Sequence, residues 1–80
     1  MRDNHSGYIL FSKRKEVAYK RLGWYDIMTF ECPVTGEFDY ERVTEALYLK
    51  FAREGASTRF IDFNRKTNML KFDVLKSIVD

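Results

Sequence analysis

The spacing of apolar positions changes along this chain from alternation to helical periodicity and back, and each change marks an element. From Phe38 to Gly55, FDYERVTEALYLKFAREG, the residues Tyr40, Val43, Leu47 and Phe51 recur three or four positions apart. At about 100° per residue they share one face of an amphipathic helix of about four turns. Asp39 can cap it by accepting a hydrogen bond from a first-turn amide, and Phe38 and Val43 have the spacing of a hydrophobic staple. Glu37, Asp39 and Glu41 suit the positive end of the helix dipole, and Lys50 and Arg53 suit the other. Gly55 can take the left-handed conformation of a helix stop.

On either side of this helix the pattern alternates. Trp24 to Cys32, WYDIMTFEC, is rich in aromatic and branched residues and reads as a strand, with Met28, Phe30 and Cys32 on one side. Pro33 is expected to end it, because proline has no amide to donate to a central ladder; PVTGE then turns into the helix. Before it, YILFSKRKEVAYKRLG admits two structures. A helix from Ser12 to Leu22 stopped by Gly23 would put Lys13, Arg14 and Lys15 at the positive end of its dipole, the wrong sign. The favoured reading is a hairpin of Tyr8 to Ser12 and Glu16 to Leu22 about the charged turn Lys13 to Lys15. After Gly55 and ASTR, FIDF and MLKFDV flank the turn NRKTN as a second hairpin, with Ile61 and Phe63 expected to face Leu70 and Phe72. The last residues, LKSIVD, extend the final strand or form a helical turn.

The sum is a small single α+β domain: an antiparallel sheet, made of a two- or three-stranded meander, then one helix, then a C-terminal hairpin, with the long helix packed on the sheet. The domain is expected to span residues 8–80, behind a flexible tail of residues 1–7, MRDNHSG. With 80 residues, 45% hydrophobic and 16% aromatic, the chain has enough apolar area for a core, though one of small net stability.

Candidate chemistry is sparse. Cys32 and His5 are the only cysteine and histidine, so an intrachain disulfide, a Cys/His zinc site and a Cys-x-x-Cys pair are excluded. No cofactor or metal is expected, and Cys32 reads as a small buried hydrophobe. Glu41 and Glu45 lie one turn apart, but no histidine or nucleophile accompanies them, and solvation explains them better than catalysis. No apolar run approaches the roughly 18 residues of a membrane span and no signal-peptide core follows the start, so the default compartment is cytoplasmic.

Two surfaces remain as candidates. Tyr48, Leu49 and Ala52 fall on the far side of the helix from the core stripe, beside Glu41 and Glu45. This ridge is expected to bind a protein partner, unless a strand or tail covers it. The second surface is electrostatic: Lys and Arg outnumber Asp and Glu six to two over residues 1–23, are outnumbered seven to three over residues 24–57, and lead five to three over residues 58–80. Lys13, Arg14, Lys15, Lys20 and Arg21 surround Tyr19 and precede Trp24, with Arg65 and Lys66 at the second turn. Such a mixture of cations and rings can hold phosphates and stack bases, yet no nucleic-acid motif accompanies it and lysines on an edge strand also discourage aggregation. The leading expectation is therefore a non-enzymatic inhibitor, adaptor or regulator that docks on a protein; nucleic-acid binding is the alternative. A homodimer through the ridge or an edge strand is compatible with both. Accessory proteins of phages and mobile elements often have this size and lack of motifs, an analogy of layout that carries no function.

Overall fold

The computed structural model describes residues 8–78; the expected tail of residues 1–7, with His5, lies outside them. The element order is β1 (Tyr8–Ile9), a 3-10 turn (Phe11–Lys13), β2 (Lys15–Leu22), β3 (Tyr25–Thr35), α1 (Tyr40–Ala52), β4 (Ala56–Asn64) and β5 (Met69–Ser77). β3 and β5 form the centre, antiparallel from Tyr25 opposite Ser77 to Pro33 opposite Met69. β4 lines the far edge of β5, while β2 and β1 both line the free edge of β3. The result is a four-stranded antiparallel layer with one interrupted outer strand and one helix, the α+β architecture expected. Since β3 and β4 are each antiparallel to β5, they run parallel to each other, and α1 is the crossover between them.

The helix begins and ends as its sequence dictates. Asp39, in extended conformation, accepts hydrogen bonds from the amides of Glu41 (3.1 Å) and Arg42 (3.4 Å), which satisfies donors that the first turn leaves without partners. At the other end Gly55 has φ +73°, the left-handed region in which a side chain would be strained. Val43, Leu47 and Phe51 are buried against Cys32 and Val34 of β3 and Leu70, Phe72 and Val74 of β5. Tyr40, expected among them, is instead exposed: its ring meets Phe60 of β4 edge-on at 5.1 Å, at the rim where the helix has just begun to approach the sheet.

Four local expectations are corrected. The first concerns Tyr8 to Leu22: β1 and β2 do not pair with each other. Both pair with β3, Tyr8 opposite Thr35 and Leu22 opposite Tyr25, and the hairpin is β2–β3, closed by Gly23 at φ +60° and Trp24. The second is Pro33, which lies inside β3. Its carbonyl accepts from the Leu10 amide at 2.9 Å on the edge side, whereas Val34 donates to Asn68 on the β5 side. The missing proline amide therefore faces the edge, where proline is tolerated. These two departures have one cause. The Leu10 carbonyl, denied an amide from Pro33, accepts instead from the Lys13 amide (2.9 Å) and the Cys32 thiol (3.2 Å), and the outer strand leaves the ladder in the 3-10 turn. The third correction is Ile61. A bulge between Phe60 and Asp62 turns it away from the helix, so Phe60 and Phe63, not Ile61, pack with the core. The fourth is Tyr40, noted above. Residues 75–77 of the undecided end extend β5.

Leu47 and Asp39 separate the two sources of helix stability. Leu47→Ala removes a fully buried side chain and should cost about 2–5 kcal/mol; Asp39→Ala removes only the cap and should cost about 1 kcal/mol. Urea denaturation checks both, with the midpoint falling further for Leu47→Ala and the slope unchanged for each.

Candidate interaction surfaces

Packing fixes the phase of α1, and with it the surface that remains. Because Val43, Leu47 and Phe51 face the sheet, residues half a turn away face out. Tyr48 and Leu49 are 65% and 58% exposed, and Glu41, Glu45 and Ala52 are exposed beside them. All five ridge residues singled out in the sequence therefore lie together on the outward side of one capped helix. The Tyr48 flank leans over β4. There a groove of about 330 Å³ is lined by Thr44, Leu47 and Tyr48 of α1 and by Ala56, Ser57, Thr58 and Phe60 of β4.

The basic set is dispersed. Arg14 is half-buried; its Nη1 donates to the Phe11 carbonyl at 2.8 Å, and its guanidinium lies 5.4 Å from the Phe30 ring centre and 5.8 Å from that of Phe51. It roofs the aromatic core as a cation over ring faces. Tyr19 donates to Asp26 Oδ1 at 2.6 Å, and Arg21 Nε donates to the same oxygen at 3.2 Å. The Tyr19 hydroxyl and then the Arg21 cation hold the Asp26 carboxyl below its usual pKa against partial burial, which opposes them. The same hydrogen bond to Asp26 raises the Tyr19 phenol. Lys20, paired with Ile27, points to the other face of the sheet from Tyr19 and Arg21. Lys13 and Lys15 are exposed on the interrupted outer strand. Trp24, 69% exposed, tips the β2–β3 loop. Arg65 and Lys66 belong to the β4–β5 loop at the opposite end of a body 43 Å long. Strand alternation and the two loops thus spread a contiguous sequence cluster over different faces and ends.

One feature was not singled out from the sequence. The sheet face opposite α1 has no helix over it, and at its centre Asp73 is only 4% exposed. Thr29 Oγ1 donates to one Asp73 oxygen at 2.6 Å and Arg59 Nη2 to the other at 2.9 Å, so the buried carboxylate has partners from both neighbouring strands. The signal was present in FDV: an aspartate between two core residues must point to the other face of its strand and find donors there. Around this trio, Ala18, Tyr19, Lys20, Ile27 and Ile61 complete a shallow depression of about 330 Å³.

Cys32 is buried as expected. Burial, opposed by the Arg14 charge, pushes its thiol up to about 11, so at neutral pH it is a protonated hydrogen-bond donor rather than a nucleophile. Among the described residues no group of three or more His, Cys, Asp or Glu is placed to hold a metal ion, and no helix is long and apolar enough to cross a membrane. No protein-family model, curated protein or solved structure matches this chain.

The Asp26 cluster has a definite pH signature. A carboxyl whose pKa is lowered by folding stabilises the native state above its unfolded pKa, and that contribution is lost as pH falls through the folded value. Asp26→Asn should therefore melt below the native protein at neutral pH, and the difference should shrink as the pH is taken below the ordinary value of 3.8. Thermal melts of both proteins from neutral pH down to about pH 2 read this directly.

Proposed function

We propose that this chain is a non-enzymatic binding protein that docks on a protein partner through the outward side of α1, acting as an inhibitor, adaptor or regulator. The observation that carries this reading is the exposure of Tyr48 and Leu49 side by side on a rigid helix, with the core stripe complete without them. An aromatic ring and a leucine held on a preformed element lose little conformational freedom when a partner covers them, and such side chains make good interface anchors. Glu41 and Glu45 give the ridge an acidic border that selects the charge of the partner. A binding role rather than a catalytic one is supported by the state of the perturbed groups: Tyr19, Arg21 and Asp26 engage one another, and Cys32 is a buried thiol. None is left poised as a base or nucleophile.

The alternative is nucleic-acid binding, favoured by the exposed ring of Trp24 and by Lys13, Lys15 and Lys20. Capture from host lysate with and without nuclease separates the two. On the protein-docking reading a captured partner survives nuclease, and Leu49→Glu and Tyr48→Ala each weaken it by about tenfold or more with unchanged urea midpoints. Capture indifferent to both substitutions removes the ridge from the site. Capture lost with nuclease, and weakening steeply with salt, transfers the function to the cations.

A further inference from the structure

The sheet face opposite α1 carries a charge pattern that strand register sets. Opposed residues on neighbouring strands share a face, so β2, β3, β5 and β4, in that spatial order, arrange the outward side chains in rows. The first row reads Lys15, Glu31, Lys71, Asp62; the second reads Ala18, Thr29, Asp73, Arg59; the third reads Lys20, Ile27, Leu75, Ser57. Contacts within the rows agree: Lys71 Nζ lies 3.8 Å from Glu31 Oε2, and Asp73 accepts from Thr29 and Arg59. Lys15 and Asp62 end the first row, and among the described residues neither has an ion-pair partner in its own chain. Apolar side chains accompany the charges. Ile27 is 6% exposed yet lies outside the cluster around Leu47 and Phe72, while Tyr25 and Ile61 are half in water.

We propose that this face joins a second copy of the chain, as an aligned sandwich about a two-fold axis running along the strands between β3 and β5. Such an axis keeps the rows and reverses the strand order, so β2 of one copy lies over β4 of the other and β3 lies over β5. Lys15 then meets Asp62 of the second copy, Glu31 meets its Lys71, Thr29 its Asp73 and Ile27 its Leu75, while the long Arg59 falls over the short Ala18. Each contact occurs twice. Charge selects this occupant, because a row reading plus, minus, plus, minus is complementary to itself once turned end for end. A nucleic acid, uniformly negative, would meet Glu31 and Asp62 as well as the cations. An axis across the strands would lay the lysines of β2 over those of its own copy. The area is sufficient: four strands and the eight residues of β2 span about 19 by 27 Å, so two copies bury about 1,000 Å² counted flat, the least a specific interface needs, and side-chain relief adds to it. Both helices lie on the outside of the sandwich, so the dimer leaves both α1 ridges open and is independent of the docking role proposed above.

The test is a charge exchange that only a second chain can read. Sedimentation equilibrium of the full chain over a range of concentrations should show a reversible dimer, and its melting temperature should rise with concentration. Lys15→Glu and Asp62→Lys should each weaken the dimer by about tenfold or more, since each sets two like-charged pairs across the axis. Both residues are exposed in the monomer, so neither change disturbs the core. Within one chain they stand on opposite edges, about 14 Å apart, where their effects simply add. Combining them restores opposite charges between chains alone, and the double variant should return to within about threefold of the native affinity. Arg53→Glu, exposed beyond α1 on the other layer, should change dimerisation by less than about twofold. In a mixture of labelled and unlabelled chains, isotope-filtered NOEs should join Ile27 to the second copy's Leu75. The proposal is overturned if the chain stays monomeric up to its solubility limit, if the double variant remains as weak as the single ones, or if the NOEs place the interface on α1 or along the β4 edge. It is equally overturned if the Ile27 and Leu75 methyl groups respond to a single-stranded thymidine oligonucleotide and not to protein concentration.

Discussion

Phe72 is the side chain on which the layers meet. It is fully buried on the central strand β5, with ring centres of Phe30 at 5.7 Å, Phe51 at 5.9 Å and Phe11 at 6.4 Å. Those three rings come from the neighbouring strand, the helix and the 3-10 turn, so one residue joins every element that covers this face of the sheet. Aromatic contacts of this kind add to the area they bury because edge and face carry opposite partial charge. Phe11 meets Phe51 almost perpendicularly, at 85°, which locks the turn to the helix as well as to the sheet. In a chain of this length the core is small, and the orientation of α1 depends on few contacts. Its exposed flank is a consequence of those contacts.

The other face of the sheet solves a different problem. A layer with one helix leaves half its surface in water, and here cross-strand polar pairs occupy the middle rather than a second apolar core. Asp73 is shared by Thr29 and Arg59, and Glu31 faces Lys71 at 3.8 Å. Such pairs define register more than they stabilise, since a shift by one residue would bury Asp73 among the rings. The two sheet edges are treated unequally as well. The β1–β2 edge is broken by the 3-10 turn, bulged between Glu16 and Ala18, and rich in lysine, all devices that discourage pairing. The β4 edge carries one bulge, at Ile61, and is regular before it.

What could be read from the sequence was whatever depended on near neighbours. The helix, its Asp39 cap and its Gly55 stop are local, and the outward placement of Glu41, Glu45, Tyr48, Leu49 and Ala52 follows from helical geometry once a single buried stripe is recognised. The hairpin about NRKTN was legible too, since Asn64 Oδ1 accepts from the Lys66 and Thr67 amides and Asn68 takes a positive φ, both properties of asparagine itself. Most of the errors involve distant partners; the Gly23–Trp24 turn of the β2–β3 hairpin and the Arg21–Asp26 pair are the local exceptions. Pro33 breaks a strand only if its amide faces a paired neighbour, and whether it does depends on which side β1 arrives. Ile61 fits the alternation of FIDF until the bulge against β5 shifts it by one. The basic segment looked continuous because sequence has no faces: Arg14 was claimed by the Phe30 and Phe51 rings, and Arg21 by Asp26, five residues on.

The groove beside β4 follows from the same topology. β3 must cross to a strand that is parallel to it but two places away, because β5 will later insert between them. Two strand spacings are about 10 Å, the diameter of a helix with its side chains. A crossover that ends at the sheet edge draws the helix toward that edge, and α1 does lie nearest β4. Two results are forced. The part of the core face over β3 that the helix leaves uncovered needs another lid, and Phe11 with Arg14 supplies it from the interrupted outer strand. At the opposite margin none of the described strands covers the line where helix and edge strand run side by side, since β5 turns back into the sheet's interior. The break near Pro33 and the open line along Ala56–Phe60 are thus two consequences of one off-centre helix.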